Sequence, residues 1–214
     1  GDWISRNIYV CTARAERRAL LERAKSIDVN GLDGPDRRTL EIYVAIGEGD
    51  AGSEICDGHL WEVSARNNPL ADFATLHEDH AIHSVLDGKN LLARYQKIPQ
   101  AIDDASANLR VGAARKLYAN AESIRRTIAM LDQEFARPKD EWALLALFKA
   151  DAIKGLSTDE MANFRNDLTS AVEQDIMPAL KRYRAVLATD ILPHGREGAA
   201  IGVSALSIGA ACYA

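Results

Sequence analysis

The chain has 214 residues, 47% of them hydrophobic, 27% charged and only 6% aromatic, with a net charge of −5. That length holds one large domain or two small ones, and the composition is that of a globular chain rather than a disordered or fibrous one. Net acidity without a long basic run speaks against a nucleic-acid surface, and no apolar run is long enough to span a bilayer.

Helix signals dominate from the start. Residues 5–29 read as a helix with Leu20, Ala24 and Ile27 turned inward. The run Asn30-Gly31-Leu32-Asp33-Gly34-Pro35 reads as a turn, and Pro35 suits the first position of a second helix running towards Ile46. Residues 47–69 are less regular. Within them, residues 47–52 match the spacing GxGxxG, but Glu48 and Asp50 sit inside the would-be phosphate cradle and no strand precedes it. This segment reads as a flexible turn. Residues 89–110 are expected to be helical, bent around Pro99.

In the second half, Leu117, Ala121, Ile124, Ile128, Leu131 and Phe135 alternate steps of four and three, which predicts one helix over residues 114–135, stopped by Pro138. A short apolar helix is expected over residues 141–150. Ser157 and Glu160 have the spacing of a capping box, and Met161, Phe164, Leu168 and Val172 supply the buried stripe behind it. Pro178 predicts a kink or restart near residues 176–178, with the helix resuming through Tyr183 and Leu187. The fold class is therefore mainly α: long antiparallel helices, with at most a short strand or two. Trp61, Tyr95, Tyr118 and Trp142 read as core or interface anchors.

Candidate chemistry is thin. His77, His80 and His83 follow one another at three-residue steps, each turning roughly −60° about a helix axis, so the three do not converge on one ion. The second histidine of an HExxH motif would fall at position 81, which is Ala. This cluster reads as a polar helix end or loop. Cys11, Cys56 and Cys212 are an odd, widely spaced set, which argues against a disulfide framework and a zinc knuckle alike. Ser204, Ser207 and Cys212, with His194 nearby in sequence, lack a GxSxG elbow, and Cys212 reads as inert packing. Residues 198–214 carry no charge and are rich in Gly, Ala and Ser. Such a stretch is expected to pack into a groove, of its own helices or of a further segment.

Three stretches carry a family resemblance. The first is Trp61-Glu62-Val63 with Asn68-Pro69-Leu70 and Phe73. The second runs from Leu92-Ala93-Arg94-Tyr95 through Ile98-Pro99 to Ala107-Asn108-Leu109-Arg110-Val111-Gly112. The third is Asp190-Ile191-Leu192-Pro193 with Arg196, then residues 202–206 and 209–213. In order and spacing the chain resembles the bacterial domain-of-unknown-function 885 family. Ser207 and Ile208 depart from it, standing where the family usually has Pro and a small residue.

The resemblance implies a helical fold similar to the gluzincin-type zinc carboxypeptidases. It further implies that residues 1–214 form a single helical domain, the N-terminal part of a longer protein. The metallopeptidase zinc motif of such a protein would lie C-terminal to this chain. No catalytic residue, metal ligand or cofactor is then expected within residues 1–214, while zinc is expected in the full-length protein.

The expected partners are the missing C-terminal half of the same protein and a peptide-like substrate. Ser204, Leu206, Gly209 and Tyr213 are the candidates for lining the substrate cleft, with the extended backbone around them available for strand addition. A bacterial location, cytoplasmic or exported after signal removal, is left open. The other reading of the same scaffold is a helical binding protein without catalysis.

Overall fold

A computed structural model describes residues 6–149 and 153–213; for residues 6–13 and 213 it describes the backbone alone. Ser5, Ala150 and Ala214, and the side chain of Tyr213, thus lie outside the described residues. The chain is mainly α. Among the described residues there is no sheet, only two isolated parallel bridges, Ile82 with Ile153 and Asn120 with Arg196.

The first two helices form an antiparallel pair, α1 (Arg6–Lys25) and α2 (Gly34–Ser53). Asp33 caps α2, accepting from the Asp36 amide at 2.9 Å, and Pro35 occupies its first turn. The run 47–52 is not a turn: α2 continues through it to Ser53. Gly47 lies in this helix because α1 comes close there. A Cβ at that position would stand 2.9 Å from the Leu21 Cδ1. Glycine here serves helix contact rather than chain reversal. Leu20 and Ile27 are not turned inward as expected; both are close to half exposed, and within residues 14–29 only Leu21 and Ala24 are buried.

The body of the molecule is built from α3 (Pro69–Ala74), α4 (Val85–Tyr95), α5 (Ile98–Ala114), α6 (Ala121–Ala136), α7 (Thr158–Ala171) and α8 (Met177–Val186). The helix expected over residues 89–110 is two helices, broken at Gln96–Lys97 with Pro99 in the first turn of the second. In the core α5 packs on α8, α4 on α7 and α6 on α8. Leu91, Tyr95, Ile102, Ile124, Leu131, Leu168, Ile176 and Leu180 are essentially inaccessible to solvent. The Tyr95 hydroxyl donates to the Leu144 carbonyl at 3.0 Å, and burial pushes the phenol pKa up.

The capping box forms as expected: the Ser157 hydroxyl accepts from the Glu160 amide, and Glu160 accepts from the Ser157 amide at 2.8 Å. Pro178 is tolerated because the chain widens into π-helical geometry over Val172–Ile176, placing the proline in the first turn of α8. A second π segment, Leu187–Ile191, extends the same rod.

Two expectations fail in this region. The stripe from Leu117 does not lie on one helix, because α6 starts at Ala121, with Asn120 as its cap. Lys116 takes a positive φ of 59° and turns the chain, and Leu117 is buried in a separate small cluster. Residues 139–148 form two short 3-10 turns rather than an α-helix. Glu134, buried on α6, accepts from the Ala143 amide at 2.6 Å and so fixes where the second turn begins.

Candidate functional site

Arg196 stands at the centre of the contacts that dock the uncharged C-terminal stretch on the body. Gly195 and Arg196 run beside residues 119–121 as a short bridge. The Arg196 amide donates to the Ala119 carbonyl at 3.0 Å, and the Ala121 amide to the Arg196 carbonyl at 2.9 Å. Glycine is needed at 195, since a Cβ there would meet the Ala121 Cα at 2.8 Å.

The Arg196 side chain then turns back over the tail. Its Nε donates to the Tyr118 carbonyl at 2.7 Å and its Nη1 to the Ile201 carbonyl at 2.9 Å, with the Ala200 and Gly202 carbonyls gathered round the same nitrogen. The guanidinium carbon lies 5.5 Å from the Trp61 ring centroid. No carboxylate pairs with Arg196 among the described residues. Burial without a counter-charge lowers its pKa.

Beneath this cation, Leu206 joins Leu60, Trp61 and Leu117 in a small core of its own, flanked by Val203 and Ile208. The Trp61 indole donates to the Cys56 carbonyl at 2.8 Å. Close backbone approaches complete the arrangement. Gly112 sits where a Cβ would be 2.0 Å from the Leu60 carbonyl oxygen, and Gly209 where one would be 2.1 Å from the Val203 carbonyl oxygen.

The backbone of the tail is not extended as expected. It runs in 3-10 turns at Gly198–Ala200 and Val203–Ala205, then a last helical turn, α9 (Gly209–Tyr213). Glycine and alanine at this density let the chain coil tightly around the arginine, which collects carbonyls only from a curved backbone.

Of the cleft candidates, Ser204 is exposed, Leu206 is buried, and Gly209 is buried against the preceding turn. The structure brings these three together on one docked segment. The Tyr213 side chain lies outside the described residues.

The expectation about cysteine pairing is overturned. Cys56 and Cys212 form a disulfide, their Cα atoms 5.2 Å apart, within the usual range for such bonds. An odd count did not exclude one pair, because the two halves are 156 residues apart and only the fold brings them together. The bond removes Cys212 as a free thiol and ties the tail to the end of α2. No hydrogen bond joins His194 to Ser204 or Ser207 among the described residues; its ring lies 5.3 Å from that of Tyr118. Arg196 is the residue that inspection of the sequence undervalued. Its signal was a lone cation at the start of a long uncharged run.

His77, His80 and His83 lie in the turns and loop before α4. The His80 Nε2 stands 3.2 Å from the Asp87 carbonyl oxygen, and Asp87 accepts from the Ser84 hydroxyl at 2.8 Å and the His83 amide at 3.1 Å. Those bonds, the Ser84 one foremost, hold the Asp87 pKa below the usual carboxylate value. Among the described residues, no three His, Cys, Asp or Glu side chains are placed to hold a metal ion. No described helix is long and apolar enough to cross a membrane.

Residues 9–214 match the family model described as a bacterial protein of unknown function, DUF885. No curated protein and no solved structure matches the chain.

Proposed function

The chain belongs to the bacterial DUF885 family, and from that premise we propose that it is the helical, cleft-forming part of a zinc-dependent peptidase-like protein. In this reading residues 195–213 form one wall of a groove for a peptide-like substrate, with Ser204, Leu206, Gly209 and Tyr213 at or behind its surface. The observation that carries the reading is the way this uncharged segment is held. Arg196 gathers its carbonyls and Leu206 anchors it, so the exposed Ser204 is presented from a fixed backbone. Fixed donors and acceptors on an uncharged surface suit peptide backbone, because ordering them adds little entropic cost at binding.

The zinc of such a protein does not fit the residues described here, so no chemical step is assigned to them. In the proposed arrangement the metal and its general base come from a further segment of the same polypeptide, and this chain orients the substrate. Sequencing the complete reading frame is the first test. A helix carrying two histidines and a glutamate beyond residue 214 supports a peptidase, whereas its absence leaves a helical peptide-binding protein.

The second test is hydrolysis of unstructured peptides by the complete protein, read by mass spectrometry. Ser204→Trp, on an exposed position that leaves the core intact, is expected to raise KM about tenfold, as loss of substrate binding does. Unchanged KM would remove residues 203–209 from the cleft.

A further inference from the structure

The α1–α2 pair carries a groove that the reading above does not use. Along one side of the pair it opens in two stretches of about 230 and 560 Å³, which share Tyr43 as a lining residue. Its floor is apolar: Leu21, Ala24, Ile27, Leu40, Tyr43 and Ile46. Tyr43 is 45% and Ile46 60% exposed, so this part of the floor lies open among the described residues. Contiguous exposed apolar surface of this kind favours association in water.

The banks of the groove differ in charge. Arg17 and Arg23 stand on α1, and Asp36 and Asp50 on α2. None of the four has an ion-pair partner among the described residues. The register of the pair is set by Arg18 reaching Glu54 at 2.5 Å and Lys25 reaching Glu48 at 3.0 Å. Together with Leu21 against Gly47, it puts Asp50 within the span from Arg17 to Arg23.

We infer that this groove is the self-association surface of the protein, closed by the same groove of a second copy. With a two-fold axis parallel to the helices, α1 of one copy lies antiparallel on α2 of the other. Asp50 of each copy then falls between Arg17 and Arg23 of its partner, and the two apolar floors meet in a four-helix bundle. A two-fold contact is reciprocal, so one rotation pairs Asp50 of both copies and covers both floors. The charge pattern selects this occupant: a helix matching the groove needs acidic residues facing α1 beside an apolar stripe, and α2 itself has them.

The experiment is sedimentation equilibrium of the 214-residue chain across a micromolar concentration series. Circular dichroism and thermal melts confirm that each variant is folded. A dimer is expected for the natural sequence and a monomer for Ile46→Glu, a position too exposed to be needed for folding. Asp50→Arg alone and the pair Arg17→Glu with Arg23→Glu are each expected to weaken the dimer about tenfold or more. An equimolar mixture of these two variants is expected to recover a dimer. A monomer at every concentration overturns the proposal, as does a dimer indifferent to Ile46→Glu or a mixture that fails to reassociate.

Discussion

The body and the α1–α2 pair are both built of helices, yet they are held by different forces. In the body, α5, α7 and α8 turn whole faces of Ile, Leu and Tyr into a common core, and side chains such as Ile102 and Leu168 have no exposed surface. Among the pair's described side chains only Leu21 and Ala24 are buried, while Ile42, Tyr43 and Ile46 remain in solvent. Two ion pairs, the exposed Lys25 with Glu48 and Arg18 with the largely covered Glu54, set its register. Exposed ion pairs contribute little, so the pair is held chiefly by Leu21 against Gly47 and by the contact of α1 with α5. Helical content therefore says little about where stability resides; buried area does.

The sharpest way to break this contrast is a matched pair of truncations. Leu168→Ala or Ile102→Ala in the body is expected to cost about 2–5 kcal/mol, because a cavity is left among fixed neighbours. Ile42→Ala, exposed on α2, is expected to stay within about 0.5 kcal/mol. Denaturant unfolding of the three variants decides the matter, and equal losses would mean that the pair has a core of its own.

The next effect concerns the joint between the regions. The Cys56–Cys212 bond ties the end of α2 to the tail across 156 residues of sequence. Cys212→Ser is expected to destabilise the chain by roughly 2–4 kcal/mol, since the cross-link restricts the unfolded chain. Thiol titration of the unfolded, unreduced protein should find one free cysteine of the three in the sequence. Three reactive thiols would remove the joint.

A smaller effect is expected at Arg196. Arg196→Lys keeps the charge but not the planar fork, and should cost about 1–3 kcal/mol as carbonyls lose their donor. Amide hydrogen exchange should quicken over residues 200–206 while the core of α5 stays protected. Uniform quickening would mean that tail and body unfold as one.

The smallest effect separates the regions by pH. In the body, hydrogen bonds from Arg184 lower the Asp132 pKa, and those from Thr189 and Arg110 lower that of Asp190. Their contribution is present above the unfolded carboxylate value and is lost as pH falls through the lower folded one, below about pH 4. In the pair, the hydrogen bond to Glu48 raises the Lys25 pKa. That contribution is complete below the unfolded lysine value and is lost as pH rises through the folded one, above about pH 10. Acid should thus loosen the body first and alkali the pair, which exchange at the two extremes would report. The reverse order would undo the assignment.

The sequence determined what short-range rules govern. Ser157 and Glu160 are three residues apart, so the capping box forms wherever the rest of the chain lies. Pro178 cannot donate, so a restart near it is settled locally. The stripe Phe164, Leu168 and Val172 names its own buried face, and the all-α class follows from many such stripes. The cleft candidates Ser204, Leu206 and Gly209 were legible only as members of an uncharged run.

Tertiary structure decided the rest. Leu117 continues the apolar period of α6, yet it leaves the helix because Lys116 turns the chain and Leu60, Trp61 and Leu206 offer it a separate core. Gly47 reads as a turn until Leu21 is seen against it. Leu20 and Ile27 carry a helical period that names a face but not whether a neighbour covers it. Cys56 meets Cys212, and Arg196 collects the carbonyls of the tail, through contacts made only after the helices have packed. Periodicity and capping act over a turn or two of backbone, whereas these outcomes depend on distances between segments far apart in the chain.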